Sequence, residues 1–252
     1  MLTLTQNIVI FVVTIISSMV FMAALDRFWP REKRVPHTDL IGWQLGILGT
    51  AYAVILGFML FTVWTNFGDA TLNVDLEANA LRNVYRLAEG LPPTQRAELE
   101  KECRDYADAV LTKDWPAMRK GLVPEESHNI NRGMWKTLMS VKTATPSELV
   151  AEDHAIQELS SLTEHRRTRL LQSQYRLPVI FWAVLLVGGL VTIASASLFG
   201  SANRTLHGLH VFFFTVFITL VLLAIADVNL PFRGWVGIDN YAFVRAQQNM
   251  LD

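Results

Sequence analysis

The sequence predicts an all-α integral membrane protein: four transmembrane helices, with a helical extramembrane insert between the second and the third. Three observations predict it. Apolar residues make up 51% of the 252-residue chain and charged residues only 18%, a balance more apolar than that of ordinary soluble domains. The charges are also gathered in one stretch, since 32 of the 45 Lys, Arg, Asp and Glu residues, 15 basic and 17 acidic, lie between Asp69 and Arg176. Outside that stretch, four windows of about twenty residues carry no charge, and about twenty residues is what a helix needs to cross the hydrocarbon core.

The windows are Leu4 to Leu25, Ile41 to Trp64, Pro178 to Gly200 and Gly208 to Ala226. No Lys or Arg precedes the first and no small-x-small cleavage pattern follows it, so it reads as a retained span. Trp29, Trp43, Trp64, Trp182 and Trp235 stand near the ends of apolar segments, where an amphipathic ring favours the headgroup zone. Segments this long span as helices, because hydrocarbon offers no water to satisfy a backbone left open. Four spans place both termini on one side.

Prolines divide the polar stretch. Leu72, Leu76, Ala80, Val84 and Leu87 keep a helical spacing, so the second span is expected to continue as one long helix until Leu91-Pro92-Pro93 stops it. A second helix, with Leu99, Cys103, Tyr106 and Val110 on one face, is expected to reach Trp115-Pro116, and a third to cover about Ile130 to Val141. Thr145-Pro146-Ser147-Glu148 supplies an N-cap, a proline at the first helical position and an acid at the third. The helix it opens carries Ile156, Leu159, Leu162 and Leu170, and is expected to run to Leu177 and prolong the third span. The chain then divides as 1–65, spans one and two; 66–177, a polar helical insert continuing spans two and three; 178–230, spans three and four; and 231–252, a C-terminal tail.

The second span sets Gly42, Gly46, Gly49, Ala53 and Gly57 at intervals of four, three, four and four. That spacing makes one face on which another helix packs closely. Two readings stand: plain helix packing, or packing around an axis shared by several subunits, with Ile55, Phe58 and Phe61 as a narrow apolar constriction. The hydroxyls of Thr192, Ser195 and Ser197 bond a neighbouring helix or line a hydrated path. Asp227 ends the fourth apolar run and reads either as a functional acid at the membrane edge or as a helix-end residue with Arg233 as its counter-ion. Glu77 and Arg166 or Arg169 fall at similar heights on the two long helices, which makes an ion pair one reading and separate solvated charges the other.

Several functions are excluded or weakened. A net charge of −1 with interspersed signs lacks the basic face that nucleic acid demands. The single cysteine, Cys103, permits no disulfide within the chain and reads as a small buried apolar residue. Glu125-x-x-His128 has the spacing of half a di-iron ligand set, but the second half is missing. The pairs His154/Glu158 and His207/His210 read as solvated or interfacial rather than as metal ligands. No phosphate-binding glycine loop, nucleophile elbow or zinc-protease helix occurs. No enzyme, metal or cofactor is therefore expected.

Residues Leu48-Gly49-Thr50-Ala51-Tyr52-Ala53-Val54-Ile55-Leu56-Gly57-Phe58, followed by Trp64, Asp69, Glu77-Ala78, Tyr85-Arg86-Leu87 and Leu91-Pro92, resemble the bacterial bestrophin-like domain family. Tyr106, Trp115-Pro116-Ala117-Met118, Arg166, Arg169-Leu170, Leu177-Pro178, Leu198-Phe199-Gly200 and Pro231-Phe232-x-Gly234 extend the resemblance from about Leu45 to Phe243. Bestrophins proper are pentameric anion channels whose second span lines the pore, with a cytoplasmic helical insert and both termini inside. The resemblance implies a homo-oligomeric channel for small ions, chloride among them, in the bacterial inner membrane, with Phe58 and Phe61 near its neck. No acidic cluster of the calcium-clasp kind follows the fourth span, so calcium gating is not implied. Against this stands a non-conducting scaffold or sensor whose insert docks a soluble partner through Trp115 and Trp135. Arg27, Arg31, Lys33 and Arg34 in the first connection favour a cytoplasmic place for it by the positive-inside rule, while Arg166, Arg167, Arg169 and Arg176 favour the reverse.

Overall fold

In the computed structural model, which describes residues 4–201 and 203–251, the four apolar windows become α1 (Leu4–Phe28), the first part of α3 (Thr38–Leu87), α8 (Val179–Leu198) and α9 (Arg204–Val228). All four are long and apolar enough to cross a membrane. Many of their residues are β-branched, which disfavours isolated helices in water, but backbone satisfaction in lipid leaves helix as the available form. Between α1 and α3 the chain turns through α2 (Arg31–Arg34) and a short 3-10 turn. Among the described residues no strand occurs.

The chain forms two units, one of residues up to Thr65 with Arg176–Asn229, the other of Asn66–Tyr175 with Leu230–Asp252. α3 is unbroken from Thr38 to Leu87, so each unit receives part of it. In the first unit, α1, α8 and α9 pack on one another. Few apolar side chains there are buried, while residues such as Val20, Leu190 and Phe217 are exposed, as lipid-facing positions are. Small and polar residues make the close contacts. Tyr52 on α3 donates its hydroxyl to the Leu185 carbonyl at 2.8 Å, and its ring lies so near α8 that a Cβ at Gly188 would stand 2.7 Å from it. The Thr215 hydroxyl donates to the Val211 carbonyl at 2.8 Å, so Ser18 must donate in the 2.8 Å bond between the Ser18 and Thr215 hydroxyls that joins α1 to α9.

The second unit has a core of ordinary soluble character. It gathers Val74, Leu81, Val84, Leu99, Tyr106, Met134, Leu159 and Leu162, among others, on α3, α4 (Pro93–Ala109), α6 (Glu126–Met139) and α7 (Pro146–Gln174). The segment that begins at residue 231, set apart by sequence as a tail, contributes to this core: Phe232, Ile238 and, on α10 (Tyr241–Asn249), Phe243 are buried in it. Tyr85 donates its hydroxyl to the Met250 carbonyl at 3.0 Å.

Three boundaries differ from the sequence expectation. α7 does not prolong the third span; it ends at Gln174, and Tyr175 is extended at ψ 136°. Pro178 keeps Leu177 out of helical geometry, the chain being extended already from Tyr175, and the Asn229 side chain accepts from the Leu177 backbone N–H at 3.0 Å in the break. Trp115-Pro116 does not stop the second insert helix either. The chain widens into a single π turn over Val110–Asp114 and resumes as α5 (Trp115–Lys120), because Pro116 has no N–H to continue the α ladder and its ring crowds the carbonyl four residues back. α6 starts four residues early, at Glu126. The Thr145 signal is realised as a full capping box, with Glu148 N–H donating to Thr145 Oγ1 at 3.2 Å. Gly121 closes α5 in the left-handed conformation at φ +82°, and the Arg233 guanidinium fills the place a Cβ would take, 2.4 Å away.

Candidate functional site

Two groups of residues carry functional character, one in each unit. In the spans it is the uncovered side of α3. Tyr52, Leu56 and Val63 form its buried side. The small-residue face is different: a Cβ added at Gly46, Gly49 or Gly57 meets nothing within 4 Å, and Gly42 alone has a neighbour, Phe199 at 3.3 Å. Ala53 is exposed. The face that sequence assigns to close helix packing is therefore not covered by this chain's own helices. Phe58 and Phe61 are 64% and 67% exposed and Ile55 36%. Successive members of an i, i+3, i+6 series step back by about 60° around a helix, so these three form an oblique stripe with Phe58 at its centre.

In the second unit the structure joins Glu77 to Arg169. Both side chains are fully buried, with Arg169 Nε 2.7 Å from Glu77 Oε2 and Nη2 3.0 Å from Oε1, a bidentate match of guanidinium to carboxylate. Tyr106 donates to Glu77 Oε1 at 2.7 Å. Arg169 Nη2 also reaches Asp114 Oδ2 at 3.1 Å, an acid delivered by the π turn. Arg166 is not in the pair: its Nε donates at 2.7 Å to the Ser127 hydroxyl, which in turn donates to Asp114 Oδ2 at 2.5 Å. Two carboxylates thus face two guanidinium groups without a net charge. Trp115 and Phe243 flank the Arg169 guanidinium at 6.0 and 5.9 Å from their ring centres, which adds cation–π attraction.

Burial, and then the Glu77 charge, push the Tyr106 phenol well above its ordinary range. Burial works to lower the Arg169 value, but the Glu77 charge and hydrogen bonds outweigh it, so the guanidinium is held more firmly protonated than usual. Burial likewise pushes the Cys103 thiol up, which leaves it inert as a nucleophile.

The remaining residues singled out by sequence fall as follows. Asp227 sits in the last turn of α9, partly buried. Arg233 is 9% exposed, and its Nε donates to the Met118 carbonyl at 3.2 Å. Trp115 is not available as a docking anchor, being 3% exposed and packed edge-on against Phe232. Trp135 is partly buried and donates to the Thr163 hydroxyl at 3.1 Å. His207 is not solvated: it is 5% exposed, with Nε2 3.1 Å from the Ala196 carbonyl. Of the two basic clusters, Arg31 and Arg34 pair with Asp26, while Arg166 and Arg169 are buried in the insert. Each cluster keeps only two exposed cations, Arg27 and Lys33 in one and Arg167 and Arg176 in the other.

Asp114, Ser127 and the Asp26 group were not foreseen. The signal for Asp114 was its place immediately before Trp115-Pro116, where a proline forces the helix to widen; for Asp26 it was an acid closing an otherwise uncharged span.

The described residues thus combine four helices long and apolar enough to cross a membrane with a helical insert. Residues 12–243 match the Bestrophin-like domain, and the chain belongs to that family. Among solved structures it is similar to single-site variants of a bacterial bestrophin homologue from Klebsiella pneumoniae, one at TM-score 0.77 and 12% identity, covering 96% of this chain and 98% of that one. Another has TM-score 0.75 and 13% identity over 98% and 100% of the two chains. A further structure of the Klebsiella pneumoniae homologue aligns at TM-score 0.73 and 13% identity, over 96% and 97%. At such identities the likeness is one of fold. None of the curated proteins matches the chain in sequence.

Proposed function

We propose that the protein is a homo-oligomeric ion channel of the bacterial inner membrane, with α3 from each copy lining a central path for small ions, anions by preference. The observation that carries this reading is the open glycine face of α3. Exposed phenylalanine alone is no argument, because lipid satisfies it. Glycine is different: it gains nothing from lipid and is what lets a second helix approach closely. A face of Gly46, Gly49 and Gly57 with open space before it fits packing against copies of the same helix. Phe58, flanked by Ile55 and Phe61, would then form the neck, and a ring of such side chains gates by dewetting.

Anion preference, a pentameric assembly, and an orientation with insert and both termini in the cytoplasm rest on the family resemblance. A catalytic role is not proposed, because the most enzyme-like group, Glu77 with Asp114 and Arg169, is fully buried. Liposomes loaded with a halide-sensitive dye test transport. Purified oligomer is expected to admit chloride and iodide, and Phe58→Ala to change the rate several-fold while Ile55→Ala and Phe61→Ala change it less. Flux no greater than that of empty liposomes, from an intact oligomer, overturns the proposal. Cysteines placed at Lys33 and Glu126 and labelled from either side test the orientation.

A further inference from the structure

We infer that Tyr52 is the positioning residue of the gate: its hydrogen bond to α8 sets the rotation of α3 about its own axis, and with it whether the Phe58 rings close the path. This role rests on the channel proposed above and belongs to a residue that stands outside the path.

α3 crosses the membrane with little of its own chain to hold it. Over residues 38–65 only Tyr52, Leu56 and Val63 are buried, and Gly46, Gly49 and Gly57 face open space. The contacts of Leu56 and Val63 are apolar, and apolar contact has no preferred direction, so a small turn of the helix costs them little. Tyr52 differs. Its ring lies in a seat on α8 made by two glycines: a Cβ at Gly188 would stand 2.7 Å from the ring, and one at Gly189 2.9 Å from the hydroxyl. The residue is 5% exposed, and its hydroxyl donates to the Leu185 carbonyl at 2.8 Å, a directed bond that tolerates little displacement. Thr38, the first residue of α3, also donates, to the Gly200 carbonyl at 3.1 Å, but that acceptor lies in the connection after α8 and not on a span.

Phe58 follows Tyr52 by six residues, which places it about 9 Å along the helix and about 120° around it. Tyr52 therefore faces the bundle while Phe58 faces away from it, 64% exposed. Both ride on one unbroken helix, so they turn together. A hydroxyl at the outer edge of a helix lies roughly 6 Å from its axis, and a turn of about 30° carries it about 3 Å, past the limit of a hydrogen bond. The same turn swings the Phe58 ring by a similar distance, enough to admit water to a narrow apolar neck. Keeping the bond and keeping the neck shut are thus one condition. The device is reversible, because Leu185 lies inside α8, whose own ladder still pairs its carbonyl when the hydroxyl leaves.

The test is single-channel recording of the purified oligomer in planar bilayers. Tyr52→Phe keeps the ring in its seat and removes only the donor. It is expected to raise the ratio of open to closed time about fivefold, the order for one neutral hydrogen bond present in one of two states, with unitary conductance unchanged. Gly189→Ala sets a methyl against the hydroxyl and is expected to act likewise in wild type and to add nothing in Tyr52→Phe. In Phe58→Ala, whose neck no longer closes, Tyr52→Phe is expected to leave the ratio as it is; a purely structural role would lower the thermal midpoint and produce none of this pattern. An unchanged or lowered ratio in Tyr52→Phe, an altered unitary conductance, or an undiminished effect in Phe58→Ala overturns the inference while the channel stands. An intact wild-type oligomer without current overturns the channel itself, and this role with it.

Discussion

Replacing Arg169 by Met keeps much of the side chain's bulk and removes its charge. Glu77 then loses both bonds from Arg169 and keeps only the Tyr106 hydroxyl, and Asp114 loses its contact at 3.1 Å. Arg166, reaching Asp114 through Ser127, balances one carboxylate and leaves the other uncompensated at 0% exposure. Breaking a buried pair by removing one partner costs about 3–5 kcal/mol. At roughly 2–4 °C per kcal/mol, that lowers the thermal midpoint of the purified protein by about 6–20 °C. The double variant Glu77→Leu/Arg169→Met removes both charges, leaves Arg166 and Asp114 as a balanced remainder, and is expected to recover at least half of the loss. The assay is thermal unfolding followed by helix ellipticity, as a cycle of wild type, both single variants and the double. Additive losses across the cycle, or an unchanged midpoint in Arg169→Met, would refute the reasoning, since either outcome means the two charges do not depend on one another.

Other expectations follow from single contacts. Gly188→Ala drives a methyl to 2.7 Å from the Tyr52 ring, and overpacking of this kind costs about 1–3 kcal/mol; the thermal midpoint should fall, and Tyr52→Ala should relieve the clash in the double variant. Gly121→Ala combines φ +82° with an overlap on the Arg233 guanidinium, so it should lose at least about 1–3 kcal/mol by the same assay. Burial raises the Glu102 carboxyl above its ordinary 4.5. A raised carboxyl favours folding while protonated, below the ordinary value, and that stability is lost as pH rises through the folded value. Glu102→Gln should therefore be more stable than wild type near neutral pH, with the difference fading in acid; a difference that grows in acid would reverse the assignment.

The spans were legible because hydrocarbon imposes a length and forbids charge, a constraint local to each segment. The Thr145 capping box and the long α3 were legible for the same reason: neighbours in sequence decide them. Pro178 also lay in plain view, but the helical pattern of Leu159, Leu162 and Leu170 before it suggested continuation, and the helix ends at Gln174, short of the span. The Glu77–Arg169 pair was foreseen as one of two arginine choices, since residues three apart on a helix point about 60° apart and only packing selects between them. Asp114 depends on a π turn that shifts its direction, and periodicity does not resolve a shift of one residue. Trp115 was misjudged as a docking anchor because whether an aromatic residue faces solvent or core depends on the C-terminal segment, and Phe232 and Phe243 cover it from far along the chain.

The central claim is that copies of α3 enclose an ion path, and a current measures that directly. Purified oligomer fused into a planar bilayer under a potassium chloride gradient should give unitary conductance with a reversal potential displaced toward that of chloride, altered in Phe58→Ala. An intact oligomer that carries no current across salts and voltages, or whose reversal potential follows potassium, would contradict the account.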